Sequence, residues 1–461
     1  MVRRVEWVND KRVNKTMHFH VPITIEGTKA WFAKNQNNHF RCDMAFVHLG
    51  VLCAMGGFTD ITTSPEKSGE LYIFVNPKLH HQGLGKESTS LLCEYGFYHL
   101  HFKSIYLYTN GDNYPAQAVY NQLGFRIEEI QPDATTNGSG KVVDRLKYRL
   151  QLRDFKPYDE KFFKLDDALI NGRAIKIVRD DLFPAIVGGS KARKAAEYER
   201  QFKDSGINAM VTTGGIQSNH NRAIAIMATR NGWRCHLVYH GSQERFEQES
   251  GNARIVKSTT ATTEFVEIDQ ISKSMDSAMD NFRALGLNPY YIHGGGHDIS
   301  GGIAYVKAVQ SLFRHCEKIG YKPDAIIHAS GTGSTQAGII TGLELIGWND
   351  VKVIGISVAR NTERGSKIIK EFLKKLADYY NIDKDLSSRV FLDDRFISGG
   401  YEKTDCQEKN YLQQEIKNTG IIFDSTYSGK ALWGLKHYID EEEKGCQFLF
   451  WHTGGIMNYL E

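Results

Sequence analysis

A lysine on a glycine-rich turn is the first place where this sequence could do chemistry. Gly188-Gly189-Ser190-Lys191-Ala192-Arg193-Lys194 opens a predicted helix that continues AAEYERQF. Burial in a cleft would depress the lysine's pKa towards that of a nucleophilic amine. Alone, the segment reads more readily as a solvated basic first turn, because Lys and Arg are usually surface residues. A second segment, Thr212 to His220 (TTGGIQSNH), runs from a predicted strand into the helix NRAIAIMATRNG. Ser218 and Asn219 are good N-cap residues, but N–H groups and hydroxyls at a helix start equally suit a carboxylate. A third, Ala329 to Thr335 (ASGTGST), has small residues and hydroxyls that could wrap a phosphate. It is not a Walker A loop, since no lysine follows its second glycine. A fourth pairs Thr426-Tyr427-Ser428-Gly429-Lys430-Ala431 with the terminal FLFWHTGGIMNYL. Tyr427 alone would be an ordinary core aromatic. Far upstream, His81-Gln82-Gly83-Leu84-Gly85-Lys86 stands between a predicted strand and a predicted helix. Successive N–H groups there could bind a diphosphate, although a tight turn explains the glycines as well.

The elements that would position these segments fall into two halves. Residues 1 to about 150 are rich in aromatics, with strand-like runs at Met44–Ala54, Leu71–Val75, Ser104–Thr109 and Val142–Leu150. Gln131–Gly140 (QPDATTNGSG) reads as a long hairpin turn. The polar stretch Gln151–Lys161 (QLRDFKPYDEK) reads as the linker, so domains are expected at residues 1–152 and 160–461. Beyond it strands and helices alternate, with strands expected at Ala209–Thr213, Cys235–Tyr239, Phe265–Ile268, Ala325–Ala329, Val351–Val358 and Cys446–His452. Such alternation argues for an α/β domain with a largely parallel sheet, which places ligands at the carboxyl ends of strands. The glycine-rich segments occupy those places.

In the order GGSKARK, GGIQSNH, SGTGST, YSGKA, HTGG, the second half resembles a family of pyridoxal-phosphate enzymes. It is the family of D-cysteine desulfhydrase and 1-aminocyclopropane-1-carboxylate deaminase, and the likeness runs from about Phe163 to the C-terminus. The resemblance implies a tryptophan-synthase-β-like (fold type II) α/β domain. It also implies that Lys191 carries pyridoxal 5'-phosphate as a Schiff base and moves the α-proton. Asn219 would hydrogen-bond the pyridine hydroxyl, Ser218 would meet the substrate carboxylate, and Gly331, Thr332, Gly333, Ser334 and Thr335 would cradle the phosphate. Tyr401, in SGGYEK, and Tyr427 would flank the substrate. Ser428 and Thr453 distinguish the two branches: the deaminases carry YEGK and HLGG, whereas YSGK, HTGG and SNH follow the desulfhydrase pattern. A hydroxyl facing the pyridine nitrogen leaves it neutral and makes a shallower electron sink than a carboxylate would. That suits loss of a β-substituent better than opening of a cyclopropane ring. The likeness favours a D-substrate.

The first half resembles a GNAT-type N-acetyltransferase, an α+β fold. The signs are the Gln82–Lys86 loop, then Asn113-Tyr114-Pro115-Ala116 and Tyr120-Asn121-Gln122-Leu123-Gly124-Phe125, with TKAWFAKN and MGGF upstream. The resemblance implies acetyl-CoA as cosubstrate, its diphosphate on Gln82, Gly83, Leu84, Gly85 and Lys86, with Asn113 contributing. Tyr120 would be the general acid that protonates the leaving thiolate. Glu70, just before the strand Leu71–Val75, is the candidate base, directly or through water; a solvated strand-end carboxylate is the plainer account of it. The family's usual Arg or Gln is replaced by His80.

Composition bounds the rest. With 461 residues, 41% hydrophobic and 24% charged, the chain is long enough for two ordinary soluble domains. A net charge of +3 gives no field that argues for nucleic acid or an anionic membrane. The N-terminus lacks the apolar run of a signal peptide, and no apolar run approaches a membrane span. Seven scattered cysteines cannot all pair and show no metal-site spacing, so a reduced cytoplasmic compartment and no metal are expected. The expectation is a bifunctional homodimeric enzyme. Its C-terminal half would eliminate or deaminate a small amino acid, and its N-terminal half would acetylate an amine. Two other couplings remain open: acetylation of a hydroxyl followed by β-replacement, or an N-terminal half that only senses acetyl-CoA.

Overall fold

The structure is a computed structural model. It describes every residue except 18–20, 49–50, 65, 81, 138–139, 157–161, 184–187, 204, 249, 442–444 and 461, and the side chain of His48. His81 of the upstream loop and the end of the expected linker therefore lie outside the described residues. The chain divides into two compact units, Met1–Lys161 and Phe162–Glu461.

In the first unit, alternation of apolar and polar residues builds one mixed sheet. Its described strands are β1 (Cys42–His48), β2 (Val51–Thr62), β3 (Ser68–Val75), β4 (Ser104–Asn110), β5 (Arg126–Thr136) and β6 (Val142–Gln151). Their order is β1-β2-β3-β4-β6-β5. All neighbours are antiparallel except β3 and β4. Those two pair only from Ser68↔Ser104 to Glu70↔Tyr106, although they continue to Val75 and Asn110. The parallel pair therefore parts beyond Glu70, and the helix Leu84–Tyr98 starts just after β3. One face of the sheet is closed by Phe58, Ile105, Leu107, Tyr148 and Leu150 packed with Leu92 and Phe97.

Three sequence expectations change here. Met44–Ala54 is not one strand but belongs to the antiparallel pair β1 and β2, with His48 opposite Val51. Gln131–Gly140 is not all turn: β5 runs to Thr136, and a register shift between Gln131 and Thr135 absorbs Pro132 and the left-handed Asp133. A proline is tolerated because β5 is an edge strand with a bulge. The polar stretch after Gln151 begins as a 3₁₀ turn at Leu152–Asp154, and Phe155 is wholly buried against Phe97. One large apolar side chain gains about 2–3 kcal/mol from such burial, enough to hold residues 152–155 down.

The second unit contains two sheets. The smaller has β9 (Ala209–Gly215), β10 (Arg234–His240), β11 (Thr262–Val266) and β12 (Pro289–Tyr291) in the order β11-β10-β9-β12, all parallel. The larger has β7 (Leu165–Ile170), β8 (Arg173–Arg179), β13 (Ala325–Ser330), β14 (Lys352–Ser357), β15 (Phe391–Asp393) and β16 (Phe448–His452). Its order is β15-β14-β13-β16-β8-β7, parallel except for the hairpin β7–β8. The strand expected at Phe265–Ile268 lies earlier, because Ile268 already starts a 3₁₀ turn. β13 and β16 are buried along their whole length, as strands covered on both faces must be. Among the described residues, no helix is long and apolar enough to cross a membrane.

Candidate active sites

In the second unit the glycine-rich segments converge on one cavity. Its wall includes Lys191, Asn219, Arg222, Gly331 to Gly333, Thr335, Tyr427 and Thr453. Lys191 sits on the first turn of the helix Gly189–Phe202. The turn is pressed against the end of β16: Ser190 N donates to the Thr453 carbonyl at 2.7 Å. A Cβ on Gly189, whose φ is +85°, would come within 3.2 Å of that carbonyl. The helix is held from beneath by Asp180, a fully buried carboxylate that accepts from Arg193, Tyr305 Oη and Trp451 Nε1.

Lys191 Nζ donates to the Gly295 carbonyl at 3.0 Å. Burial lowers its pKa to about 8. One turn on, Lys194 is buried outright and donates to Ser334 Oγ at 2.7 Å and to Gly295 O at 3.3 Å. Its own amine is held well below the ordinary range by burial and then by the neighbouring Lys191. Ser334 thus spends its hydroxyl between Lys194 and the Gly296 carbonyl, while Gly331, Thr332, Gly333 and Thr335 line the cavity at the start of the helix Ser334–Leu345. Neither Lys194 nor Arg222 stood out in the sequence, where each looks like one more helical cation.

Asn219 faces the cavity from the first turn of the helix Asn219–Arg230. Ser218 does not line it; its Oγ caps that helix, accepting from Asn221 N at 3.1 Å. Tyr427 lines the cavity and shares a short hydroxyl–hydroxyl contact with the half-exposed Tyr401. Tyr401 rides on a loop in which Ser398, Gly399, Gly400 and Glu402 all have left-handed φ. Two buried groups brace that loop. Lys430 Nζ donates to the carbonyls of Ile397 and Gly400 at 2.6 and 2.7 Å. Glu408, whose carboxyl burial raises to about 7, accepts from Ser398 Oγ at 2.7 Å. Ser428 is buried behind the cavity wall, its Oγ donating to Asp424 Oδ1 at 2.6 Å and accepting from Asp424 N at 2.9 Å. Asp424 also accepts from the backbone of Thr426, Tyr427 and Ser428, and burial raises its pKa.

The first unit arranges its candidates differently. Gly83 caps the helix Leu84–Tyr98 with φ +80°, and a Cβ there would meet nothing within 4 Å. A Cβ on Gly85 would have Val75 at 3.7 Å as its nearest neighbour. The helix start therefore has open space at Gly83 and room for no more than ordinary contact at Gly85. Asn113 precedes the helix Tyr114–Leu123 and donates to Thr109 Oγ1 at 3.2 Å. Tyr120 on that helix packs on Phe125 and Tyr148, and burial raises its pKa. Glu70 lies inside β3, not before it. Its carboxyl is pushed up by burial and by Asp60. Tyr148 is paired with Leu107 and Glu70 with Tyr106, so Tyr120 and Glu70 belong to opposite faces of the sheet.

A family model described as "Pyridoxal-phosphate dependent enzyme" matches residues 164–454. One described as "Acetyltransferase (GNAT) domain" matches residues 2–126. D-cysteine desulfhydrase of Serratia proteamaculans is 28% identical over 302 residues, covering 64% of this chain and 90% of that protein. The mitochondrial bifunctional D-cysteine desulfhydrase/1-aminocyclopropane-1-carboxylate deaminase of Arabidopsis thaliana is 29% identical over 310 residues, covering 64% and 75%. A crystal structure of an ACC deaminase homologue matches with TM-score 0.58 at 28% identity, covering 64% of this chain and 91% of that one. The first family works with pyridoxal phosphate and the second with acetyl-CoA. The chain belongs to the pyridoxal-phosphate dependent enzymes, as a D-cysteine desulfhydrase/ACC deaminase-like domain fused behind a GNAT acetyltransferase domain.

Proposed function

We propose that residues 160–461 eliminate a β-substituent from a small amino acid, releasing a keto acid and ammonia, and that residues 1–152 acetylate an amine. The observation that carries the first part is Lys191: a half-buried amine with its pKa lowered to about 8, on the wall of a cavity that also offers a glycine-rich helix start and a buried cation. Those groups suit an aldehyde, a phosphate and an anionic ring oxygen, so the residues present fit pyridoxal phosphate. When bound, that group supplies a carbonyl that condenses with amines and a ring that draws electrons from the substrate's Cα. Lys191 holds it and moves the α-proton. Gly331, Thr332, Gly333, Ser334 and Thr335 take the phosphate, Ser334 through its backbone N–H. Asn219 meets the ring oxygen, and Ser428 and Thr453 stand on the side of the ring nitrogen. Tyr401 and Tyr427 close over the substrate, and Ser218, which caps its helix off the cavity wall, would have to turn towards the cavity to receive the carboxylate. The D-cysteine desulfhydrase relatives support a D-amino acid with a thiol at Cβ, and chloride there is a second substituent able to leave.

In the first unit, Gln82–Lys86 and Asn113 hold acetyl-CoA, Tyr120 returns a proton to the thiolate, and Glu70 takes one from the amine. The parting of β3 and β4 beyond Glu70 supports this, because it lets groups from both faces reach one ligand. The test is release of keto acid and ammonia by the full chain from D- and L-cysteine and β-chloroalanine, with and without acetyl-CoA and amine acceptors. Turnover of a D-substrate and acetyl transfer to an amine are expected. Ring opening of 1-aminocyclopropane-1-carboxylate without any elimination would overturn the first assignment. Acetyl-CoA binding with no transfer to any amine would overturn the second.

A further inference from the structure

Among the described residues, one cation on the cavity wall has no counter-ion. Arg222 is 3% exposed, and among the described residues its guanidinium meets neutral oxygens alone. Nη1 donates to Asn219 Oδ1 at 3.1 Å and to Asn252 Oδ1 at 3.0 Å, and Nη2 to the Gly188 carbonyl at 3.3 Å. Nε, also buried, has no partner. Burial lowers its pKa only to about 10, which leaves it charged at neutral pH. A buried charge without an opposite charge is expensive, so the fold keeps it for something an anion supplies.

The hydrogen-bond inventory says where that anion lies. A guanidinium can donate and never accept, so Arg222 fixes Asn219 with Oδ1 towards itself. Nδ2 then points the other way, and one of its two hydrogens goes to Asn458 Oδ1. Asn458 cannot turn round freely, since its own Nδ2 reaches the Gln217 carbonyl at 3.4 Å. The second Nδ2 hydrogen is left for a ligand, and Asn219 lines the cavity. The amide can therefore offer a donor but not an acceptor. A protonated ring oxygen would lose its own partner there; an ionised one gains a donor with a cation behind it.

We propose that Arg222 is a positioning residue that orients Asn219 and, through it, holds the ring oxygen of bound pyridoxal phosphate in the ionised form. This rests on the reading of Asn219 as the partner of that oxygen. The ionised-oxygen form absorbs in the visible and the protonated-oxygen form in the near ultraviolet, so the ratio of the two bands in the full-length, cofactor-loaded protein reports it directly. Arg222→Met should lower the visible-to-ultraviolet ratio by about tenfold or more at neutral pH, and Arg222→Lys should restore part of it. Asn219→Asp guards against misfolding of the first variant: its carboxylate pairs with Arg222, so the chain should fold, but the donor to the ring oxygen is gone. It too should shift absorbance to the near ultraviolet. Wild-type bands in either loaded variant would overturn this inference alone. A wild-type protein that takes no borohydride label at Lys191 would instead remove the reading of the site, and this inference with it.

Discussion

The two units hold their candidate residues in opposite ways. In the C-terminal unit the groups are side chains, buried and already engaged: Lys191 on Gly295, Asn219 between Arg222 and Asn458, Lys430 under the Tyr401 loop. In the N-terminal unit the proposed binding feature is backbone, a helix start with open space above Gly83. Side-chain sites fail when one partner is removed, because a buried group is left unpaired. Backbone sites fail when space is filled. The two should therefore respond to different kinds of substitution.

The largest effect is expected at Lys191. Lys191→Ala should lose the covalent borohydride label and reduce turnover by at least about 10²–10⁴-fold, the usual reach of a proton-transfer group. A label that persists on Lys194 or Lys430 in this variant would mean that the wrong amine has been assigned.

In the N-terminal unit the corresponding change is Gly83→Asp, which combines two effects. A non-glycine residue at φ +80° costs about 1–3 kcal/mol, and its carboxylate would occupy the diphosphate's place. Calorimetric binding of acetyl-CoA to the full chain should vanish at concentrations that saturate the unaltered protein. Gly85→Ala sharpens the contrast, because its Cβ has room and no strained φ; it should keep the fold and lose less affinity. Equal loss in both variants would show that filled space, and not the left-handed turn, governs the site.

The next effect concerns pH. With its pKa near 8, only about one-tenth of the Lys191 amine is neutral at pH 7, against about one in 3,000 for a free lysine. Depression of a lysine pKa enriches the neutral amine, so cofactor capture by apoprotein should accelerate about tenfold from pH 7 to 9 and level off above 8. A rate still climbing log-linearly past pH 9.5 would contradict the buried placement of Lys191.

The same contrast explains what the sequence disclosed. Segments in which glycine, lysine and hydroxyl residues cluster were readable, because a helix start or tight turn demands those residue types locally. Arg222, Lys194 and Asn458 were not, since their roles depend on partners as far away as the separation of 241 positions from Gln217 to Asn458. The turn at Gln131–Gly140 was misread for a related reason: composition spoke for a loop, but pairing with β6 across a bulge overrode it. Glu70 and Tyr120 carried the right residue types, yet only the register shows them on opposite faces of the sheet.

A moderate effect is expected from Lys430→Met. It removes two donors from the loop that carries Tyr401 and leaves Glu408 without its nearby buried cation. Stability should fall by about 1–3 kcal/mol, and substrate KM should rise more than kcat falls if, as proposed, Tyr401 covers the substrate and does not transfer the proton. A fall in kcat alone would place Tyr401 in the chemistry.

The smallest effect is expected at Ser428, although the sequence pattern made it prominent. A serine hydroxyl has one proton, and here that proton goes to Asp424. It has none left for the neutral ring nitrogen that the hydroxyl argument requires, whereas Thr453 stands on the cavity wall itself. Ser428→Ala should therefore cost about 1 kcal/mol of stability and change elimination less than Thr453→Val does. Ser428→Glu with Thr453→Leu should weaken elimination and add some ring opening, but less than a lone carboxylate would produce. A second carboxylate beside the buried Asp424 forces one of the two to take up a proton, which removes part of the negative charge meant to keep the ring nitrogen protonated. Asp424→Asn added to that pair is the deciding measurement. If ring opening rises further, Asp424 was competing for the proton; if it falls, Asp424 itself supports the ring nitrogen, and the division between the two branches of the family cannot rest on Ser428 and Thr453 alone.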